Sequence, residues 1–363
     1  AVPLPAGTTP TPRPAAEPSP AGGWTVEPLQ GWHLPLLDDP AFLPLQPLLQ
    51  RALLLALPER LVSALVQRPP LVPQVLVALG AAAGGGSRAL GLIVSRRLNR
   101  SGTCWQVEHL RIALAVADDP HAPQRRELAG GLLREAIGRV RGAASWIATA
   151  SSLDHARLAT LREQGFQPQR TDRVWRWGPG DRECPAPADT LQLRPLNRRT
   201  APLLWHLEQA ATPAHLRQLL DRRIEDLLDH SDGRGWMLVD PTRNEAVAGA
   251  RRCTGHPAGG DRVEFSVHPG WGRLLGPPTE LLLHRLADGG GVLWLTSEVG
   301  NDDRRRWLES LGAESHGEEV LMARSVWRRQ EWQPAEQAAR RIGAVLERFQ
   351  PRRRPLPTPA GQR

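Results

Sequence analysis

The sequence predicts a fold of the α/β (α+β) class in which one domain architecture is used twice. Three observations lead to this prediction. A chain of 363 residues is long enough for about two domains of roughly 150 residues each. Strand patterns alternate with helix patterns along the whole chain. The order of these elements in the first half returns in the second half, which is typical of an internal duplication.

The first block, Trp24–Trp177, opens with the strand pattern WTVEPL and continues with helical sequence around Leu45–Val66. Apolar runs between Gly-rich or Asn/Gly turns predict strands, and apolar residues at helical spacing predict helices. The further elements expected in this block are strands at Gln74–Leu79, Ala89–Arg97 and Trp105–Val116, a helix at Gln124–Val140, the strand SWIATA, a helix at Asp154–Gln164 and a strand at Arg173–Trp177.

The second block, Leu191–Trp327, repeats this order. It begins with LQLRPL and helical sequence to about His230, and its later landmarks match those of the first block. Gly165 follows Trp146 by 19 residues, and Gly312 follows Trp294 by 18. The remaining elements expected are the strands GWMLVD, EAVAGARR and RVEFSVHP, a helix at Pro277–Ala287, the strand VLWLTSE, a helix at Asp302–Leu311 and a last strand ending at Trp327.

Composition marks the segments outside the blocks. The composition of residues 1–23 predicts a disordered tail, and that of residues 178–190 predicts a linker. For residues 328–363 we expect a helix at Pro334–Phe349 followed by an Arg/Pro-rich tail. The first tail lacks the basic and apolar regions of a secretory signal, and no apolar run approaches the length of a membrane span. We therefore expect a cytoplasmic protein with no membrane contact. Three widely spaced cysteines predict neither disulfides nor a metal site.

Every one of the 46 basic residues is Arg, and the chain contains no Tyr. The lack of Lys excludes Schiff-base chemistry and a phosphate-loop lysine. The net charge of +8 suggests nucleic-acid binding, but residues 328–363 hold nine Arg and three Glu, which leaves +2 for the rest. A nucleic-acid partner is therefore unlikely for the two blocks, although the Arg-rich tail could contact one.

The segment Gln124–Leu133, QRRELAGGLL, follows a predicted strand and opens a helix. A helix start offers unpaired N–H groups and a partial positive charge to an anion, and small residues allow a close approach. Arg125 and Arg126 could add charge-assisted hydrogen bonds. A Gly-rich helix start is more often simply a tight packing site, so this pattern alone is weak.

In its context this segment resembles the pyrophosphate motif of the GNAT family of acyl-CoA-dependent N-acyltransferases, Q/R-x-x-G-x-G/A. Gln124 to Ala129 fits it except that Glu127 replaces the first Gly, and Arg273 to Pro278 fits it except that Pro278 replaces the last Gly/Ala. The family's later Asn, eleven residues before a Gly, corresponds to Asp154 and Asn301. Its Tyr corresponds to Leu161 and Leu308. The resemblance covers nearly all of Trp24–Trp327 as a tandem pair.

The resemblance implies two acyl-CoA N-acyltransferase-like domains, each a mixed, mostly antiparallel sheet flanked by helices. Two central strands would splay apart around the pantetheine arm of acetyl-CoA, whose acyl group passes directly to an amine. The cofactor-binding positions carried over are Gln124, Arg125, Arg126, Leu128, Ala129, Gly130, Asp154, Arg273, Gly276 and Asn301. In the second block, Pro277 and Pro278 lack N–H groups, which favours the first block as the acetyl-CoA lobe. Against this, Gly276 and Asn301 of the second block keep the residues of the family motif, which the first block has lost.

The family often places its base on the strand that holds Glu108 and His109. We expect Glu108 to be the base with His109 as second choice, and alternation predicts that only one of them faces the cleft. Their second-block counterparts would be Glu264 and Asp261. A solvent-facing Glu is an equally good interpretation of Glu108. With no Tyr as acid, the candidates are Thr149, Ser151, Cys104 or water.

Three functions remain open from the sequence. The first is an acetyl-CoA-dependent N-acetyltransferase with one catalytic and one degenerate lobe, which acts on a small-molecule or peptide amine; the sequence leaves a homodimer open. The second is a non-catalytic acyl-CoA-binding or scaffold protein. The third is a nucleic-acid-associated factor that uses the Arg-rich tail.

Overall fold

The computed structural model describes residues 23–55, 72–82, 85–114, 116, 125–186, 190–230, 234–256, 258–287 and 290–325. The predicted helix at Pro334–Phe349, the Arg-rich tail and the second half of the helical region Leu45–Val66 lie outside these residues. We call 24–177 the N-terminal lobe and 191–325 the C-terminal lobe. No helix in the described ranges has the length and apolar character needed to cross a bilayer.

In its described residues, the N-terminal lobe has six strands and three α-helices in the order that the sequence predicts. A helix over 46–55 (α1) lies between the first two strands. The strands are β1 (Trp24–Pro28), β2 (Gln74–Ala81), β3 (Ser87–Arg97), β4 (Cys104–Ile112), β5 (Ser145–Ser151) and β6 (Gln167–Trp177); the later helices are α2 (Arg125–Arg139) and α3 (His155–Glu163).

The C-terminal lobe repeats this order with three helices after its first strand. Its strands are β7 (Gln192–Pro195), β8 (Gly235–Asp240), β9 (Glu245–Gly255), β10 (Asp261–Val267), β11 (Leu293–Glu298) and β12 (Glu314–Ser325). Its helices are α4 (Ala201–Ala211), α5 (Ala214–Leu220), α6 (Ile224–His230), α7 (Pro277–Ala287) and α8 (Asp302–Ser310), with a 3-10 turn at Pro269–Leu274.

Several strand ends differ from the sequence expectation. β4 stops at Ile112 rather than at Val116, and β6 begins at Gln167 rather than at Arg173. The apolar pattern alone could not place either end. The missed half of β6 reads QPQRTD, a polar stretch that is held in the sheet because it pairs with β12. Backbone pairing with β12 holds this stretch whatever its side chains, whereas pairing with β11 begins only at Asp172.

All twelve strands form one sheet in the order β1-β2-β3-β4-β5-β12-β6-β11-β10-β9-β8-β7. Within the described residues, β4–β5 and β10–β11 pair in parallel and the other neighbours are antiparallel. The last strands of the two lobes are exchanged. β12 lies between β5 and β6, and β6 lies between β12 and β11. The linker predicted at 178–190 therefore separates two segments of sequence that share one sheet.

The hydrophobic cores confirm that the exchange joins the lobes. Trp175 and Trp177 of β6 pack in the core of the C-terminal lobe, where the Trp175 indole donates a hydrogen bond to Ser297 Oγ at 2.8 Å. Met322 of β12 packs in the core of the N-terminal lobe. Each lobe therefore buries apolar surface that the other lobe supplies, and this burial favours the joined state.

Further polar contacts join the turn after β3 to helices of the C-terminal lobe. The Arg100 guanidinium binds Asp229 through two hydrogen bonds of 2.5 and 2.7 Å. Asn99 donates to the carbonyl of Leu220 at 3.2 Å. These contacts fix the orientation of the two lobes around the space between them.

Candidate active site

A cleft of about 2510 Å³ runs along the junction of the two lobes. Strands β4 and β5 and the start of α3 line it from the N-terminal lobe. Strands β10 and β11, the start of α8 and the segment around Arg222 line it from the C-terminal lobe. Both predicted base positions, Glu108 and His109, border this cleft, as do the helix-start residues Asp154 and Asn301.

A β-bulge lies at Glu108 in the middle of β4. Val94 of β3 pairs with His109 and the next residue, Ser95, pairs with Val107, so Glu108 has no partner of its own in β3. A bulge interrupts the alternation of side chains between the two faces of a strand. Both Glu108 and His109 therefore line the cleft. The expectation that only one of them could do so is wrong, because it assumed a regular strand.

The parallel strands β4 and β5 separate just after this bulge. Their register runs from Cys104 opposite Ser145 to Val107 opposite Ala148 and then ends, although β4 continues to Ile112 and β5 to Ser151. The two strands consequently enclose a gap that opens at Glu108, and backbone groups of β4 along this gap have no partner in β5. In the C-terminal lobe, β10 and β11 separate in the same way after Arg262 opposite Trp294.

Glu108 is a buried carboxylate with one cationic partner. Its Oε1 lies 2.8 Å from Nε of Arg96 on β3, and 16 % of its side chain is exposed. Burial raises the pKa of Glu108, and the positive charge of Arg96 offsets part of this rise. A carboxylate with a raised pKa is a stronger base than an exposed one, so Glu108 is suited to accept a proton.

His109 lies beside Glu108 in a strongly cationic environment. Burial, followed by the positive charges of Arg111, Arg157 and Arg96 in that order, lowers the pKa of His109 to about 4. The imidazole is therefore neutral at neutral pH and can accept or donate a hydrogen bond there without carrying charge.

Glu264, the counterpart of Glu108 in the C-terminal lobe, is held by two arginines. The Arg222 guanidinium binds it through two hydrogen bonds of 2.7 and 2.8 Å, and Arg251 also contacts it. Arg251 is 2 % exposed and donates to Glu208 of α4 at 2.8 Å. Where β9 pairs with β10, the bulge lies on β9, at Cys253, and not on β10. The second expected counterpart, Asp261, forms an ion pair with Arg252 at 2.5 Å.

The phosphate-turn residues of the N-terminal lobe lie on α2, and most of them have structural roles. Arg125 is exposed, whereas Arg126 forms an ion pair with Glu163 of α3. Leu128 is fully buried in the core, and Ala129 is half-buried. A side chain at Gly130 would come within 3.2 Å of Gln164. Gln124 lies outside the described residues.

Asp154 and Asn301 occupy the same position in the two lobes. Oδ1 of Asp154 accepts the N–H of Arg157 at 2.9 Å, and Oδ1 of Asn301 accepts the N–H of Arg304 at 2.9 Å. Each residue is therefore the N-cap of the helix that follows it. The family-like spacing of Asp154 and Gly165 is explained by a helix that starts at a cap and ends at a glycine with φ +82°.

The helix start at Gly276 has its own backbone N–H groups in use. The Gly276 N–H donates to Thr279 Oγ1 at 3.0 Å, and the N–H groups of Thr279 and Glu280 donate to the Gly276 carbonyl at 3.1 and 2.9 Å. Pro277 and Pro278 have no N–H to offer. Arg273, in the preceding 3-10 turn, is exposed and lies 5.4 Å from the centre of the Trp271 ring.

Solved structures with a similar architecture support this description of the fold. A tandem GNAT protein from the clavulanic acid biosynthesis pathway is 16 % identical, with a TM-score of 0.50 over 84 % of this chain and 99 % of that one. The chain has the tandem GNAT fold. A putative acetyltransferase from Pyrococcus horikoshii is 12 % identical, with a TM-score of 0.50 over 86 % of this chain and 93 % of that one. No family model matches the sequence, and no curated protein matches it.

Within the GNAT fold, the three proposed acid residues differ in their access to the cleft. Cys104 is fully buried beside Ile147 and Ala323, and burial raises its pKa to about 11. Thr149 and Ser151 both line the cleft on β5. No group of three or more metal-ligating side chains occurs in the ranges that the structure describes.

Three arginines of the cleft were not identified from the sequence. Arg111 lies two residues after His109, so strand alternation could have placed it on the same side. Arg157 lies three residues after the N-cap Asp154, on the first turn of α3. Arg96 reaches Glu108 from another strand, and no pattern in the sequence gives the register of β3 and β4.

Proposed function

We propose that this protein is an acyl-CoA-dependent N-acyltransferase that transfers an acetyl group from acetyl-CoA to an amine, and that its N-terminal lobe carries the reaction. The tandem GNAT fold supports the reaction class. The bulge of β4 at Glu108 is the observation that supports the choice of lobe, because it brings a buried carboxylate to the point where β4 and β5 separate.

The C-terminal lobe also has a gap, between β10 and β11, but its described residues around that gap do not support the same chemistry. Arg222 and Arg251 form ion pairs with Glu264, so its carboxylate oxygens are already engaged. The described backbone at the start of α7 has no free N–H group between Gly276 and Thr279 for a phosphate. We infer that this lobe is degenerate and that it completes the sheet and forms one wall of the cleft.

The proposed reaction follows from the residues along the gap. Glu108 accepts a proton from the amine, directly or through one water, as the amine nitrogen attacks the thioester carbon. Unpaired backbone N–H groups of β4 stabilise the negative charge that develops on the carbonyl oxygen. The C–S bond then breaks, and the thiolate takes a proton from water or from Ser151 or Thr149.

The acetyl-CoA would lie along the gap, with its diphosphate near the start of α2. Arg125 is exposed there and has no partner among the described residues, whereas Arg126 is already paired with Glu163. We therefore expect Arg125 to contribute more than Arg126 to acetyl-CoA binding. Gln124, at the same helix start, stays a proposed contact.

Kinetics on an amine panel test the proposal, with free thiol released from acetyl-CoA as the signal. Glu108→Gln removes the base without a large change in shape. We expect it to lower kcat/KM by about 100-fold or more. In the wild type, kcat/KM should rise with pH through the raised pKa of Glu108 and then level off. Glu298→Gln, which removes another carboxylate of the same cleft, is the matched control and should leave both unchanged.

Two outcomes would contradict this account. Equal loss of activity in Glu108→Gln and Glu298→Gln would show that the carboxylate of Glu108 has no special role. Binding of acetyl-CoA without thiol release on any amine would favour the non-catalytic binding protein instead.

A further inference from the structure

Two arginines of the N-terminal lobe reach the cleft without an anionic partner. Arg111 lies on β4, and Arg157 lies on the first turn of α3. Both line the cleft. Among the described residues, neither side chain has a hydrogen-bonding or ion-pair partner, and Nε of Arg157 is completely buried. Arg111 is exposed, whereas Arg157 is half-buried. A partly buried guanidinium without a hydrogen-bonding partner is costly, so the position of Arg157 requires an explanation.

The nearest acidic side chains are already engaged. Glu108 pairs with Arg96 at 2.8 Å, and Glu319 of β12 pairs with Arg262 of β10 at 2.5 Å. The side chain of Asp154 accepts the helix-start N–H of Arg157. These contacts leave the two guanidinium groups with donors that no protein acceptor uses.

The charges of both arginines act on the reaction centre. They lower the pKa of His109. Burial lowers the pKa of Arg157, Arg111 lowers it further, and the charges of Asp154 and Glu319 offset part of this shift. Arg111 lies two residues after His109 on the same strand, so the two side chains project from the same side of β4. Two guanidinium groups without an ion-pair partner among the described residues therefore lie next to the base position, where the amine acceptor would lie.

The position of the two arginines favours an anion that belongs to the acceptor over one that belongs to acetyl-CoA. The diphosphate of acetyl-CoA is proposed to lie at the start of α2, near Arg125. Arg157 is on a different helix, and Arg111 is beside His109. An anion bound to both arginines would hold the acceptor at one end and leave its amine close to Glu108.

We propose that Arg111 and Arg157 bind an oxyanion of the acceptor, so that the substrate is an amine that also carries a carboxylate or a phosphate group. This inference rests on the proposed acyl transfer and names the substrate class of the same site. Guanidinium groups bind both oxyanions through paired hydrogen bonds, and the test distinguishes the two.

The experiment compares acceptors in matched pairs on the full-length protein, with thiol release from acetyl-CoA as the signal. The carboxylate arm uses glycine with glycinamide and leucine with leucinamide. The phosphate arm uses O-phosphoethanolamine with ethanolamine. We expect the anionic member of one arm to have a kcat/KM about 10- to 100-fold higher than its neutral partner.

Arg111→Gln and Arg157→Gln should each abolish most of this preference by raising KM for the anionic acceptor, while KM for acetyl-CoA stays unchanged. Arg304→Gln is the matched control. Arg304 has the same position at the start of α8, and its buried Nε also lacks a partner, but it lies in the C-terminal lobe. This control should keep the full preference.

The proposal is overturned if neutral and anionic acceptors react equally well, or if the two variants raise KM for acetyl-CoA and leave the acceptor preference intact. A direct binding measurement separates this failure from failure of acyl transfer. Acetate and inorganic phosphate are titrated while the His109 imidazole is followed by NMR. A rise in the pKa of His109 that is lost in Arg157→Gln supports the oxyanion site even if no amine is acetylated. If neither anion raises the pKa of His109 and no amine is acetylated, the proposed oxyanion site is contradicted.

Discussion

At the scale of single residues, the cleft contains two neighbouring groups whose pKa values shift in opposite directions on burial. Burial raises the pKa of Glu108 and lowers the pKa of His109, so each side chain is pushed towards its neutral form. Arg96 then keeps Glu108 available as a carboxylate. Around His109, by contrast, positive charges add to the effect of burial and further disfavour its protonated form.

His109 should therefore reduce the stability of the protein as the pH falls. Its pKa is about 4 in the folded state and 6.5 when unperturbed, so the unfolded state binds a proton first. Stability present above pH 6.5 is lost as the pH falls towards 4, by about 2 kcal/mol for a partly exposed group. We expect His109→Asn to lose less stability than the wild type between pH 7 and pH 4.5 in urea unfolding.

The control for this measurement is His155→Asn, which removes an exposed imidazole at the start of α3. It should retain the acid sensitivity of the wild type. The same loss of stability in all three proteins would show that the cationic surroundings of His109 do not determine its protonation.

At the scale of elements, α2 shows how a sequence motif and a packing requirement can coincide. Gly130 and Gly131 belong to a segment that resembles a phosphate-binding turn. In the structure, a Cβ at Gly131 would overlap the indole of Trp24 on β1, which is 5 % exposed. The glycine is therefore explained by the close contact of the helix with the first strand.

Two substitutions in α2 test this explanation. Gly131→Ala should destabilise the protein by about 1–3 kcal/mol, because the methyl group displaces Trp24. Gly138→Ala is the matched control, since its Cβ would meet no atom within 4 Å. It should stabilise the protein by about 0.5–1 kcal/mol through a higher helix propensity. Urea unfolding at neutral pH gives both values, and a neutral Gly131→Ala would contradict the packing account.

The elements also show what could be predicted from the sequence. Helix and strand order follows from local periodicity, and the tandem resemblance gives the correct fold. The bulge at Glu108 could not be predicted, because it is set by the register of β4 against β3. The arginine pairs around Glu264 join α4, β9, β10 and the segment before α6, which are brought together only by tertiary structure.

At the scale of the whole molecule, the exchange of β6 and β12 makes the two lobes interdependent. Trp175 completes the C-terminal core, and Met322 completes the N-terminal core. A lobe produced alone would lack a strand in the middle of its sheet. Experiments on binding and activity therefore use the full chain, and variants within the chain distinguish the lobes.

This arrangement also gives the C-terminal lobe, which we propose to be degenerate, a structural role. The C-terminal lobe contributes β12 to the sheet and Arg262, Arg222 and Glu264 to the walls of the cleft. Its own candidate base is engaged in ion pairs that help to hold this wall in place. The proposed division of roles is therefore catalysis in one lobe and support by the other.

Hydrogen–deuterium exchange of the full chain with saturating acetyl-CoA tests this division most directly. We predict slower exchange at backbone amides of β4 after Glu108, because the acetyl-CoA arm would cover N–H groups that have no partner in β5. The matching part of β10, from Val263 to Val267, should be unchanged. Protection of β10 instead of β4, or protection of neither strand, would contradict the assignment of acyl transfer to the N-terminal lobe.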